Sequence, residues 1–182
     1  EGLGLDAVSE GELLTAIKGG VPNEKIVFHG NNKSDKELEF AVRNNIKVIV
    51  DNDYDLERLD EISNSFNHDL EIMIRFTPGI ECHTHEYIRT GSFDSKFGFG
   101  IEYLNILFNR ISNTKHLKLK GLHAHIGSQI FELDPHKDLG EIMVKVILDA
   151  KKFGHNIEEL NVGGGLGIRY TESDDPPSID EW

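Results

Sequence analysis

The feature that most constrains this chain is a regular alternation of short apolar runs with longer stretches of helical periodicity. Apolar runs at 3–8, 26–28, 46–50, 70–76, 119–126 and 160–162 read as strands, and the stretches at 10–18, 34–44, 54–66, 101–111 and 138–153 read as helices. Local signals agree: Gly19-Gly20 stops the first helix, and Ser34 with Glu37 three residues later forms a capping box. Strands that alternate with helices build parallel βαβ units. Six such units in 182 residues predict a partial (β/α)₈ barrel, roughly its strands 2 to 7, since a complete barrel takes roughly 250 residues. An open doubly wound sheet is the competing arrangement, but its phosphate loop usually follows the first strand, whereas the glycine run here follows the last.

Composition removes several function classes. The formal charge is −13 and the basic residues are scattered among acids, so no stripe is present for nucleic acid. Cys82 is the only cysteine, which excludes an intrachain disulfide and fits a reducing compartment. No apolar run approaches the ~20 residues of a membrane span, and no secretory leader is visible. The start at Glu1 without Met and the stop at Trp182 lead to the expectation of one barrel domain over 1–182, truncated at both ends.

Four segments could carry chemistry. The first is Gly163-Gly164-Gly165-Leu166-Gly167, directly after a strand. Glycines allow positive φ and close approach, so successive N–H groups can converge on an anion. A tight packing turn is the alternative. In the second, 121–129, alternation sends His123 and His125 to one face and Leu122, Ala124 and Ile126 to the other. If the apolar set packs on helices, both histidines face the barrel interior near the strand's C-terminal end, where barrel sites lie, and Ser128 follows with a hydroxyl. The third places Arg75 at the end of an apolar strand, where an inward guanidinium needs a carboxylate; His83 and His85 follow on a loop. Two His-x-His pairs invite a metal reading; that class also needs a carboxylate or further histidines at other strand ends, and His83 and His85, on a loop after Pro78-Gly79, need not face the first pair, so no metal is expected. In the fourth, Lys96 stands between Ser95 and Phe97-Gly98-Phe99, with an ion pair at the barrel mouth as its expected role. The segment 29–34 reads as a capped βα loop without assigned chemistry, and the long irregular stretch 79–100 is of the kind that is often functional.

Taken together, the strings GLGLDAVSEGEL, EKIVFHGNNKS, RFTPGIECHTHEYIRTG, DSKFGF, GLHAHIGSQIF and LNVGGGLGIRY resemble the diaminopimelate decarboxylase family, in the family's order and over nearly the whole chain. The resemblance implies an alanine-racemase-like barrel that binds pyridoxal 5′-phosphate (PLP), a β-rich C-terminal domain beyond this stretch, and a homodimer with shared active sites. It implies that His125 stacks on the cofactor ring, that Ser128, Gly163, Gly164 and Gly165 hold its phosphate, and that Arg75 and Lys96 support the site. The substrate would be meso-diaminopimelate and the product L-lysine, in the bacterial cytoplasm or a plastid. The family's Schiff-base lysine would precede residue 1, its pyridine-pairing Glu would follow Trp182, and Cys82 does not match its catalytic Cys. No catalytic residue is therefore expected within 1–182, and this stretch alone should not decarboxylate. Related ornithine and arginine decarboxylases, a cofactor-free regulator built on the barrel, and a metal hydrolase remain as alternatives.

Overall fold

The computed structural model describes residues 2–80 and 97–182; Lys96, His83, His85 and Cys82 lie outside the described residues. Strands β1 (Leu5–Ala7), β2 (Ile26–Phe28), β3 (Lys47–Val50), β4 (Leu70–Thr77), β6 (Leu117–His123) and β7 (Glu159–Asn161) lie side by side in that order, all parallel, and the two-residue β5 (Phe99–Gly100) pairs with the end of β4. Helices α1 (Glu10–Lys18), α2 (Asp35–Arg43), α3 (Asp53–Phe66), α4 (Leu104–Ser112) and α5 (Asp134–Lys152) make the connections. The expected alternation and the partial barrel are borne out.

The helices begin where short polar side chains satisfy free N–H groups. Ser9, Ser34 and Asn52 cap α1, α2 and α3, and Ser34 with Glu37 completes the capping box. Helix α5 starts at Asp134, a turn before the expected 138, because Pro135 sits in the first turn where no N–H partner is needed. The helix-facing core is one cluster that includes Phe28, Val48, Val50, Ile72, Ile74, Leu122 and Ala124, packed on Leu38, Leu59, Leu107 and Met143.

The other face of the sheet is concave. Lys47 on β3 pairs with Glu159 on β7 although β4 and β6 stand between them. The Asn161 side chain, on the last strand, reaches Asp6 on the first. Contacts of this kind require a sheet curled toward closure. Its interior is layered: Lys47, Glu71 and Glu159 pair toward the bottom, Ile49 and Met73 stand above them, and Asp51, Arg75, His123 and Asn161 follow toward the C-terminal ends of the strands.

Strand β6 carries an irregularity that decides what faces this interior. Leu119 pairs with Ile72 and Gly121 with Met73, so Lys120 is an extra residue opposite no partner. Such a bulge re-aims the side chains beyond it. Leu117 and Leu119 face the helices before it; after it, Leu122 and Ala124 do. The odd-numbered residues Gly121 and His123 thereby turn to the concave side. The strand ends at His123 rather than at 126, although Ala124 N still donates to Asn161 O at 3.0 Å.

Candidate functional site

At the C-terminal ends of the strands, two loops are tied together. Ile130 N donates to Gly165 O and Gly167 N to Ile130 O, each at 2.9 Å. The Gln129 amide accepts from Ile168 N at 3.0 Å and donates to Ile168 O at 3.1 Å, as a strand would. Gln129 has φ +56, unusual for a residue with a side chain, and this pairing is what holds it there. The tie brings the loop of Gly127 and Ser128 onto Gly163, Gly164 and Gly165.

Close packing makes two of the three glycines obligatory. A methyl at residue 163 (φ +72) would lie 2.7 Å from His125 Nδ1, and one at residue 165 (φ +110) only 2.0 Å from Gly127 O. At Gly164 a methyl would meet nothing within 4 Å. Gly163 N donates to Asn161 Oδ1 at 2.9 Å. The N–H groups of Gly164 and Gly165 donate to no acceptor among the described residues, and neither does the Ser128 hydroxyl. Open donors beside a half-buried imidazole suit an anionic group with an aromatic ring attached.

Below this rim lies a polar layer. His123 is 4% exposed, and its Nδ1 is buried without a hydrogen-bond partner among the described residues. Its ring meets that of His29 edge-on, with centroids 4.9 Å apart. His29 Nε2 lies 3.3 Å from Asp6 Oδ1. Burial pushes the His123 imidazole down to about 3, with His29, Arg75 and His125 adding to the effect and Asp6 opposing it. Burial also lowers His125, reinforced by Arg75 and His136. Both rings are thus neutral near pH 7. The His29 imidazole beside Asp6 holds that carboxyl below its usual range, more than offsetting burial. Arg75 Nη1 lies 3.4 Å from Asp51 Oδ1, and its guanidinium covers the Phe97 ring at 4.8 Å. Burial raises Asp51 even so, while Arg75 opposes the shift.

The structure therefore brings His125, Ser128 and the three glycines to one rim and sets Arg75 one layer below, paired with a carboxylate. His29, Asp6, Asp51 and Asn161 belong to the same interior and were not singled out from sequence. Strand parity could have found His29, since Val27 and His29 share a face opposite Ile26 and Phe28. Among the described residues no three histidine, cysteine or acidic side chains come together as a metal site, and no helix is long and apolar enough to cross a membrane.

Comparison with known proteins settles the family. The model of the pyridoxal-dependent decarboxylases, in its pyridoxal-binding domain, matches residues 1–182. The chain belongs to the pyridoxal-dependent decarboxylases. Among relatives of this decarboxylase domain, the diaminopimelate decarboxylase of Synechocystis is 53% identical over all of the chain and 40% of its own length. That of Bacillus subtilis is 43% identical over all of the chain and 42% of its own. The crystal structure of the Helicobacter pylori diaminopimelate decarboxylase complexed with L-lysine superposes with a TM-score of 0.92 at 32% identity, over 98% of the chain and 45% of that structure. The resemblance read from the motifs is borne out, and the domain spans about two fifths of the curated relatives it matches.

Proposed function

We infer that this domain binds PLP and serves a decarboxylase that converts meso-diaminopimelate to L-lysine and carbon dioxide. The observation that carries the reading is the rim itself: the N–H groups of Gly164 and Gly165 and the Ser128 hydroxyl, which have no acceptor among the described residues, beside the neutral His125 ring. These groups fit the cofactor. Gly164, Gly165 and Ser128 would hold the phosphate by N–H and O–H donation, and the absence of side chains at 163 and 165 lets this turn pack against His125 and Gly127 so that those donors stand together. Gly163 contributes shape, since its own N–H is committed to Asn161. His125 would lie on the ring face. When bound, PLP acts as an electron sink for the bond that breaks as carbon dioxide leaves.

The rest of the interior supports binding. A neutral His123 and His125 keep positive charge off the ring face, and the Asp51–Arg75 pair sets a fixed dipole beside them. Substrate selection follows the names of the relatives, all diaminopimelate decarboxylases at 41–53% identity. The proposal extends to a cytoplasmic enzyme working as a homodimer with shared active sites, with Lys96 as a support of the barrel mouth, as the resemblance of the motifs implies.

The protein that carries this chain should bind PLP with visible absorbance and release lysine from meso-diaminopimelate but no product from ornithine or arginine. His125→Ala should weaken PLP binding by about tenfold or more. PLP affinity unchanged in His125→Ala would remove that ring from the site; product from ornithine or arginine instead would overturn the substrate assignment.

A further inference from the structure

A buried ion pair lies behind the loops that carry the polar layer. Lys33, in the loop after β2, and Asp55, in the first turn of α3, form an ion pair at 2.5 Å whose two side chains are each 1% exposed. Burial of two charges is costly and is a weak source of stability. The same two side chains bind backbone on both neighbouring loops. Lys33 Nζ donates to Gly30 O at 2.5 Å. Asp55 Oδ2 also accepts from Asp51 N at 3.0 Å. Gly30 has φ +120 and follows His29; Asp51 is the residue that faces Arg75. A third tie, Asn52 Nδ2 to Asn31 O at 3.2 Å, joins the same loops.

We propose that the Lys33–Asp55 pair is a positioning device that fixes His29 and Asp51, and through them His123 and Arg75, beneath the bound cofactor. The geometry argues for position over stability. One carboxylate oxygen is shared between the ammonium and the Asp51 N–H, while Asp55 Oδ1 is buried with no hydrogen-bond partner among the described residues. A pair selected for stability alone would satisfy both oxygens. The pair instead sits where two βα loops must be held at a set distance, and each loop delivers one inward polar side chain from an adjacent strand end. His29 then meets Asp6 and His123, and Asp51 meets Arg75, so both halves of the layer hang from the two loops that this pair joins.

The inference rests on the PLP reading for its consequence in binding, and its geometric part is separable. The test compares the protein that carries this chain with the variant Lys33→Met/Asp55→Leu, which replaces the pair by apolar side chains of similar size. Three quantities are read: the urea midpoint without cofactor, the PLP dissociation constant, and the histidine ring signals of the cofactor-free protein by NMR, assigned with His29→Gln. The expected result is a midpoint equal to or above wild type, PLP binding weaker by about tenfold or more, and displaced signals for His29 and His123. Asp55→Glu, which keeps the charges and lengthens one arm by a methylene, should reproduce the loss of affinity. A double variant that fails to fold, or that binds PLP within about twofold of wild type with unmoved histidine signals, would overturn the proposal; so would wild-type affinity in Asp55→Glu. If wild type itself binds no PLP, the cofactor reading fails, and the histidine signals alone then decide the positioning role.

Discussion

Alanine substitution at adjacent glycines tests the cradle without reference to any ligand. At residue 165 the added methyl would lie 2.0 Å from Gly127 O and 3.0 Å from the carbonyl carbon, and both are backbone atoms that no side-chain rotation can move. The φ of +110 adds strain for any residue with a β-carbon. Relief requires the two loops to part, with loss of the Ile130 N–Gly165 O and Gly167 N–Ile130 O bonds. Two hydrogen bonds at ~1 kcal/mol each and ~1–3 kcal/mol of backbone strain give about 3–5 kcal/mol for Gly165→Ala. Gly164 is the internal control, since its methyl would meet nothing within 4 Å and its φ is not positive; Gly164→Ala should stay within about 0.5 kcal/mol. Urea unfolding of the cofactor-free protein reads both. PLP titration should then show binding weaker by about a hundredfold in Gly165→Ala. Equal stability of the two variants, or Gly165→Ala within about 1 kcal/mol of wild type, would refute the packing argument.

Three further outcomes follow from the interior. His123 titrates at about 3 in the folded state because of burial, whereas an unfolded histidine takes up its proton near 6.5. The unfolded chain therefore binds more protons between those values, and stability falls as pH drops from about 6.5 toward 3, by up to about 1.4 kcal/mol per pH unit from this group. His123→Leu should flatten that acid slope in urea midpoints taken from pH 7 to 4; an unchanged slope contradicts the assignment. Arg75→Met leaves the buried Asp51 without its guanidinium and should cost about 3–5 kcal/mol, most of it recovered by adding Asp51→Asn; no recovery in the double variant would count against the pair. Gly121→Ala places a methyl 2.6 Å from Met73 Cε and 3.1 Å from Glu159 O, and should cost about 1–3 kcal/mol. Met73→Val should relieve part of that cost, and strict additivity in thermal unfolding would show that the two side chains do not compete for the space.

Much of the architecture was legible because hydrophobic period and capping chemistry agree. Residues 10–18 and 26–28 read as a helix and a strand with the bounds that α1 and β2 have, since Ser9 and the Gly19-Gly20 stop fix one and a pure apolar triplet the other. The rim was legible in part: the glycine run announces close approach, and the pairing of odd-numbered histidines announces a shared face. Other features have no local signature. Gln129 enters the positive φ region through a pairing with Ile168, 39 residues away. Lys33 looks like an ordinary loop lysine until the fold buries it against Asp55, 22 residues on. Short strands such as Phe99–Gly100 have too few residues to display a period. Partners distant in the chain decide all three.

The additional residue at Lys120 has a consequence for anyone who edits this barrel. Deleting that single position would leave every downstream residue type unchanged and would straighten the pairing with β4. With Leu119 still opposite Ile72 and Gly121 opposite Met73, His123 would keep facing the cavity and Leu122 the helices, whereas a regular pairing that retained Lys120 would turn His123 to the helix side and Leu122 into the cavity. A transplant of the histidine string into another barrel thus has to bring either the spare position at Lys120 or a strand one residue shorter, since an unbulged strand of the same length would hide the imidazoles.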